Sequence, residues 1–275
     1  MIGGEHLWWY GFVAAFVMIA VAETYLPLRE LRTSTSRRWT SNLVLFTISS
    51  AAVTLAFQVS AIALALTIRG GSHGLLNQAR LPYFARYVVG FALLDLTAYL
   101  SHRFFHGFAA TWRVHQVHHA ETDLDLTTGF RFHPVEALVS RGLLLLTIAL
   151  FGPPPGAVVL SGLAIAAQDF LQHANLRFPD AADRALRLLI VTPAMHRVHH
   201  SEDFARQNAN FGTLFSLWDR MFGTYLEPRT AASGERCGLL ELASGSELSA
   251  RQLLVLPFRR TRGRAASAAA GTERV

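Results

Sequence analysis

Lysine is missing altogether: all 25 basic residues are arginine, against 19 acidic ones, and only 16% of the 275 residues are charged. Soluble domains carry about a quarter. With a mean hydropathy of +0.28, the shortage points to a membrane protein. Cysteine occurs once, at Cys237, which excludes a disulfide framework and any multi-cysteine zinc site. A bound metal would have to be held by histidine, with carboxylates as helpers. The isoelectric point near 10.2 invites a nucleic-acid partner. However, the arginines cluster beside apolar stretches and form no basic stripe with interleaved aromatics, which argues against one.

Long uncharged runs are what the chain has instead. Residues 7–22 open with Trp8, Trp9 and Tyr10 and continue past Glu23 to Leu28, as a first spanning helix with an aromatic belt would. No basic segment precedes them, so no cleaved leader is expected. Four arginines at 29, 32, 37 and 38 mark the following segment as cytoplasmic. Residues 43–68 hold no charge and predict a second span; residues 87–100 predict a third, containing Asp95. Residues 136–151 and 157–172 flank GPPPG at 152–156. Each arm is about 24 Å as helix, short of a hydrocarbon core of about 30 Å, so the pair is two short spans or a re-entrant hairpin. The expected fold is all-α and polytopic, with about four transmembrane helices and a cytosolic helical cap. The expected division is N-terminal helices over 1–86, a catalytic unit over 87–228 and a partly disordered basic tail over 229–275, able to rest on anionic headgroups.

The cap is where the histidines fall. Ten of the twelve lie between His102 and His200, on the side of the four arginines. HQVHH (115–119) and HRVHH (196–200) each place three imidazoles at i, i+3 and i+4, on one helical face. HRFFH adds His102 and His106 one turn apart, and Gly107 offers a break that would turn the next group back toward them. With His173, nine imidazoles come from four pieces of chain. Imidazolium ions so spaced repel, and a shared cation holds them neutral. Nine nitrogens suit two ions better than one, and neutral imidazole suits Fe, Zn, Cu or Ni. His6 and His73, isolated near the interface, read as polar tips at headgroups. His133 precedes Pro134 and so belongs in a loop, as a contact to substrate or to a ligand residue, or as a metal ligand itself.

HRFFH, HQVHH and HRVHH, in this order, resemble the three histidine boxes of the fatty acid hydroxylase and sterol desaturase superfamily. The likeness extends to GFRFHPVE (129–136), QHANL (172–176) and NANFGTLFSLWDRMFGTY (208–225), covering about half of the chain. It implies an integral-membrane enzyme with two iron ions held by His102, His106, His115, His118, His119, His173, His196, His199 and His200. O2 and an external electron donor of ferredoxin, cytochrome b5 or reductase type would oxidise an alkyl C–H of a lipid to an alcohol or a double bond. Where fatty acid 2-hydroxylases carry an extra HxxxH, this chain has DFLQH, with Asp169 in place of the first histidine. That departure moves the expectation toward the sterol desaturase-like branch, and Asp169 is expected to bind metal or to orient His173. Asp95 and Tyr99 join it as candidate catalytic residues. Asp95, at i−7 from His102, is expected to hydrogen-bond an imidazole or to pair with Arg103. Asn210, with Trp112, Trp218 and Asp219, is expected to pack and hydrogen-bond around the metals. A membrane metal-handling protein without redox turnover is the alternative. The all-arginine, alanine-rich composition suggests a bacterial cytoplasmic membrane.

Overall fold

The computed structural model describes residues 2–71, 73–228, 234–240, 242 and 247–259. It is built of helices, with no β-strand among the described residues. Four stretches are long and apolar enough to cross a membrane: Trp8–Tyr25, Thr35–Gln78, Tyr83–Gly107 and Pro134–Phe151. The fold is that of a multi-pass membrane protein. Helix α1 (Ile2–Tyr25) covers the first stretch. The uncharged run expected to be one span is two helices, α2 (Thr35–Ala56) and α3 (Ala61–Gly70). The break has a local cause: the Ser60 side chain accepts from the Ala63 backbone N–H at 3.0 Å and starts a new helix. A short α4 (Leu75–Gln78) leads to α5 (Tyr83–Gly107) and then α6 (Ala109–His119).

Around GPPPG, α7 (Pro134–Phe151) and α8 (Pro155–His173) do not close on each other as a tight hairpin. Both pack on α3 and α5, burying Ala65, Ile68, Leu94, Ile148 and Val158 together. Gly152 ends α7 at φ 61°, where a side chain is strained, and a Cβ there would lie 2.9 Å from the His73 carbonyl oxygen. This approach ties the far end of α7 to α4 and leaves the space between α7 and α8 open toward the histidine end.

At that histidine end, buried polar groups lock the connections together. The Arg38 guanidinium donates to Asp125 at 2.7 Å, joined by Trp39 Nε1 at 3.0 Å. Arg131 pairs with Glu121 and donates to Asn42 at 2.8 Å. Arginine 38 of the expected cytoplasmic cluster is thus a buried structural cation. The tail also departs from expectation. Residues Ala250–Val255 form a helix, opened by a capping box between Ser249 and Gln252. Leu253 and Leu256 pack with Leu45 and Val117 of α2 and α6. Burial of those leucines overrides the arginine density that suggested disorder. Residues 260–275, where the basic tail was expected to continue, lie outside the described residues.

Candidate metal centre

Helix α5 carries His102 and His106 on one face to the end of its span. The chain breaks at Gly107 and Phe108, and α6 returns with His115, His118 and His119. His173 is the last residue of α8, while α10 (Pro193–His199), after the short α9 (Asp180–Leu186), brings His196 and His199, with His200 at its end. The nine imidazoles form two groups, one of His102, His106, His115, His119 and His199, the other of His118, His173, His196 and His200. Within each group the candidate ligand atoms lie within 4.8 Å of one another. Each three-histidine turn is therefore shared. Helix α6 gives two nitrogens to the first group and one to the second, and the α10 segment gives one and two.

The partners of the outer nitrogens decide which nitrogen faces inward. His102 Nδ1–H donates to the Phe211 carbonyl at 3.0 Å, His199 Nδ1–H to the Ala209 carbonyl at 2.9 Å, and His115 Nδ1–H to Glu136 at 2.5 Å. Carbonyls and carboxylates only accept, so in each neutral ring the proton sits on Nδ1 and Nε2 is a bare lone pair. Those three Nε2 atoms are buried without a hydrogen-bond partner. In the second group His173 Nδ1–H donates to the Asp169 backbone carbonyl at 2.6 Å. Its bare Nε2 then lies 2.8 Å from His196 Nε2 and 3.1 Å from His118 Nε2. The bare Nε2 atoms of the first group face a dry interior without a donor, and a cation at the centre of each group would give the converging nitrogens a shared partner. Burial, foremost, pushes His118, His119, His196 and His200 well below the ordinary imidazole range and His199 down to about 3. At neutral pH these rings are in the metal-ligating form. The residues present fit a pair of metal ions.

Of the two acids expected to act at the centre, Asp95 sits elsewhere, whereas the Asp169 carboxylate lies 3.4 Å from His173 Nδ1. Asp95 accepts from the Leu214 and Phe215 backbone N–H groups at 3.1 Å each and from Trp218 Nε1 at 2.7 Å, rather than from an imidazole or Arg103. Seven residues is about 10 Å of helix rise, so sharing a face with His102 does not bring it alongside. Tyr99 donates to Thr224 Oγ1 at 2.9 Å and stacks on Phe222. Asp169 belongs to neither group; its backbone carbonyl orients His173, and its carboxylate accepts from Gln172 at 2.9 Å. His133 is in neither group: its Nδ1 accepts from the Val135 N–H at 3.2 Å, capping α7. Asn210 lies between the two carbonyls that hold His102 and His199. Trp112 packs on His106 and His119, and Asp219 accepts from the Phe211 and Gly212 N–H groups at 2.7 and 2.8 Å. His6 and His73 are exposed.

Sequence reasoning gave no role to Glu136 or to the carbonyls of Ala209 and Phe211. The only signal for Glu136 is its place in GFRFHPVE, and nothing in side-chain identity marks a carbonyl. Replacing Asp95 by Asn keeps one acceptor oxygen and turns an NH2 toward at least one of the three N–H groups; stability is expected to fall by about 1–3 kcal/mol. Thermal denaturation in detergent should show the drop while the metal content of folded protein stays as in the wild type.

A cavity of about 1000 Å³ runs from this centre between α7 and α8. His102, His115, His118, His173 and His196 line one end, and Leu94, Leu144, Val158 and Ile165 line its flanks, with Trp8 and Trp9 also at the wall.

Curated proteins resemble the chain over about half its length. An ornithine lipid hydroxylase of Rhizobium tropici is 30% identical over 152 residues, 55% of this chain and 45% of that protein. Alkylglycerol monooxygenases of Danio rerio and Homo sapiens are 33% and 29% identical over 137 and 134 residues, 50% and 48% of this chain. The match spans 30% and 28% of those two proteins, so under half of each relative is covered. No solved structure matches the chain. The fatty acid hydroxylase family matches residues 87–224, half of the chain and the stretch that holds all nine clustered histidines, and the chain belongs to that family.

Proposed function

We propose that this protein is a membrane-bound di-iron oxygenase that hydroxylates a C–H bond of a lipid. The observation that carries the reading is the pair of all-histidine groups opening into an apolar cavity at the end of spanning helices. His102, His106, His115, His119 and His199 would hold one iron, and His118, His173, His196 and His200 the other. Iron bound there would supply the redox chemistry that couples O2 to C–H oxidation. The net reaction, R–H + O2 + 2 e⁻ + 2 H⁺ → R–OH + H2O, takes its electrons from an external donor of ferredoxin, cytochrome b5 or reductase type. The relatives named hydroxylase and monooxygenase favour oxygen insertion over desaturation, and none of them is named for a sterol.

The chain's own residues fix geometry and exclude water. Glu136 and the carbonyls of Ala209, Phe211 and Asp169 hold four imidazoles in one tautomer and orientation, so these four need not turn when metal binds. The cavity between α7 and α8 admits an alkyl chain from the bilayer and sets one of its carbons beside the histidines. Residues 87–228 form the catalytic unit, residues 1–86 the helices that wall it, and residues 229–275 the C-terminal part. The arginines at 29, 32 and 37 support a histidine end on the cytoplasmic face, and the resemblance to a bacterial lipid hydroxylase supports a bacterial inner membrane.

Protein extracted in mild detergent is expected to contain about two irons per chain and to consume O2 when given a reductant and lipid extract. Mass spectrometry with ¹⁸O2 should find one labelled oxygen in a lipid product. Bound iron with no lipid-dependent O2 uptake would replace this reading by a metal-handling protein without redox turnover, which needs the same histidines.

A further inference from the structure

One cation in the cavity, Arg141, has no ion-pair partner among the described residues. On α7, Ala137, Ser140, Arg141 and Leu144 lie at i, i+3, i+4 and i+7, and all four line the cavity. Arg141 is seven residues into a span, about 10 Å from the start of its helix. A guanidinium at such depth is costly and is normally paired. The Arg141 Nε is buried without a hydrogen-bond partner, and no carboxylate lies within ion-pair distance of the side chain among the described residues. The two acids that share the cavity are engaged at the histidine end, Glu136 by His115 and Asp169 by Gln172 and His173. The rest of the wall is largely apolar, so an uncharged hydrocarbon would fill the space and leave the guanidinium stranded.

We propose that the cavity binds a lipid whose head carries acidic oxygens, a carboxylate or a phosphate, and that Arg141 is the residue that pairs with them. This rests on the cavity being the substrate site. The guanidinium presents parallel N–H groups that match two oxygens of either acid, and pairing in a water-poor cavity relieves the cost of burying the charge. Arg141 is a specificity determinant and belongs to neither histidine group.

The test measures binding, so it does not depend on iron or turnover. Full-length protein in nonionic micelles, free of phospholipid phosphate, is titrated with fluorescent cis-parinaric acid and with its methyl ester. Wild type should bind the acid about 10- to 100-fold more tightly than the ester, the worth of one charge-assisted hydrogen-bonded pair. Arg141→Met should bring the two to equality, and Arg141→Lys should keep part of the preference. Competition by hexadecanoate and by hexadecyl phosphate then tells which acid is preferred. Equal binding of acid and ester by the wild type, a preference that survives in Arg141→Met, or no binding of either probe would overturn the proposal. The wild-type comparison holds even if the Met variant does not fold. Acid binding that depends on Arg141, in protein without iron or O2 uptake, would leave the binding site standing and remove only the oxygenase reading.

Discussion

Alanine in place of His173 is expected to release one iron and keep the other, with lipid oxidation reduced by at least about 100-fold, because changing even the outer partners of metal ligands costs 10–100-fold. His173 is central to its group: its Nε2 lies 2.8 Å from that of His196 and 3.1 Å from that of His118. The groups are unequal, with four imidazoles in this one and five in the other. Losing His173 leaves three nitrogens, whereas His102→Ala leaves four, the usual number for a closed histidine site. Iron per chain should therefore fall further in His173→Ala than in His102→Ala, although both lose most of their turnover. Residues that act as a unit are not additive, so the double variant should be little worse in turnover than the more impaired single one. Metal analysis and O2 uptake on the three proteins check this. Two irons retained in His173→Ala, or a turnover loss under about tenfold, would dismantle the two-group assignment.

The histidines were legible because the i, i+3, i+4 spacing survives any tertiary arrangement, and Gly107 marked the turn between the first two boxes. How a single turn is shared between two groups was not. His118 is 60° to 100° around α6 from its neighbours, and only the placement of α8 and α10 decides which centre it faces. The anchors of the imidazoles were largely hidden too, since three of the four are backbone carbonyls that any residue supplies. Asp95 shows the limit of helical periodicity: it reports the face and says nothing of depth, and the carboxylate proves to hold the 214–218 loop. The uncharged run over 43–68 concealed a break because hydropathy ignores the capping oxygen of Ser60. Arginines after position 250 masked Leu253 and Leu256, which bury fully or nearly so against the cap.

Asn210 joins these strands of the structure, and its replacement should do more damage than its distance from any substrate suggests. It is the only non-glycine residue with positive φ, 56°, among the described residues, a conformation that asparagine tolerates better than most. The turn aims the flanking carbonyls of Ala209 and Phe211 at His199 and His102, which come from different helices but belong to one group. The side chain holds the turn in place. Its Nδ2 donates to the Met195 and Leu226 carbonyls at 3.2 and 2.9 Å, and its Oδ1 accepts from the Leu226 N–H at 2.9 Å. Asn210→Ala loses all three bonds and puts a Cβ-bearing residue without local hydrogen bonding into the left-handed region, a loss of about 2–4 kcal/mol in stability. Asn210→Gly loses the bonds and keeps the backbone, so it should fall between alanine and wild type. Freed of their acceptors, His102 and His199 lose their fixed tautomer, and iron affinity in the five-histidine group should drop about 10- to 100-fold while the other group is spared. A chelator titration resolves the two irons: one should leave early in Asn210→Ala, later in Asn210→Gly and last in the wild type. Release in a single phase, the same for all three proteins, would mean that the carbonyls do not position these imidazoles.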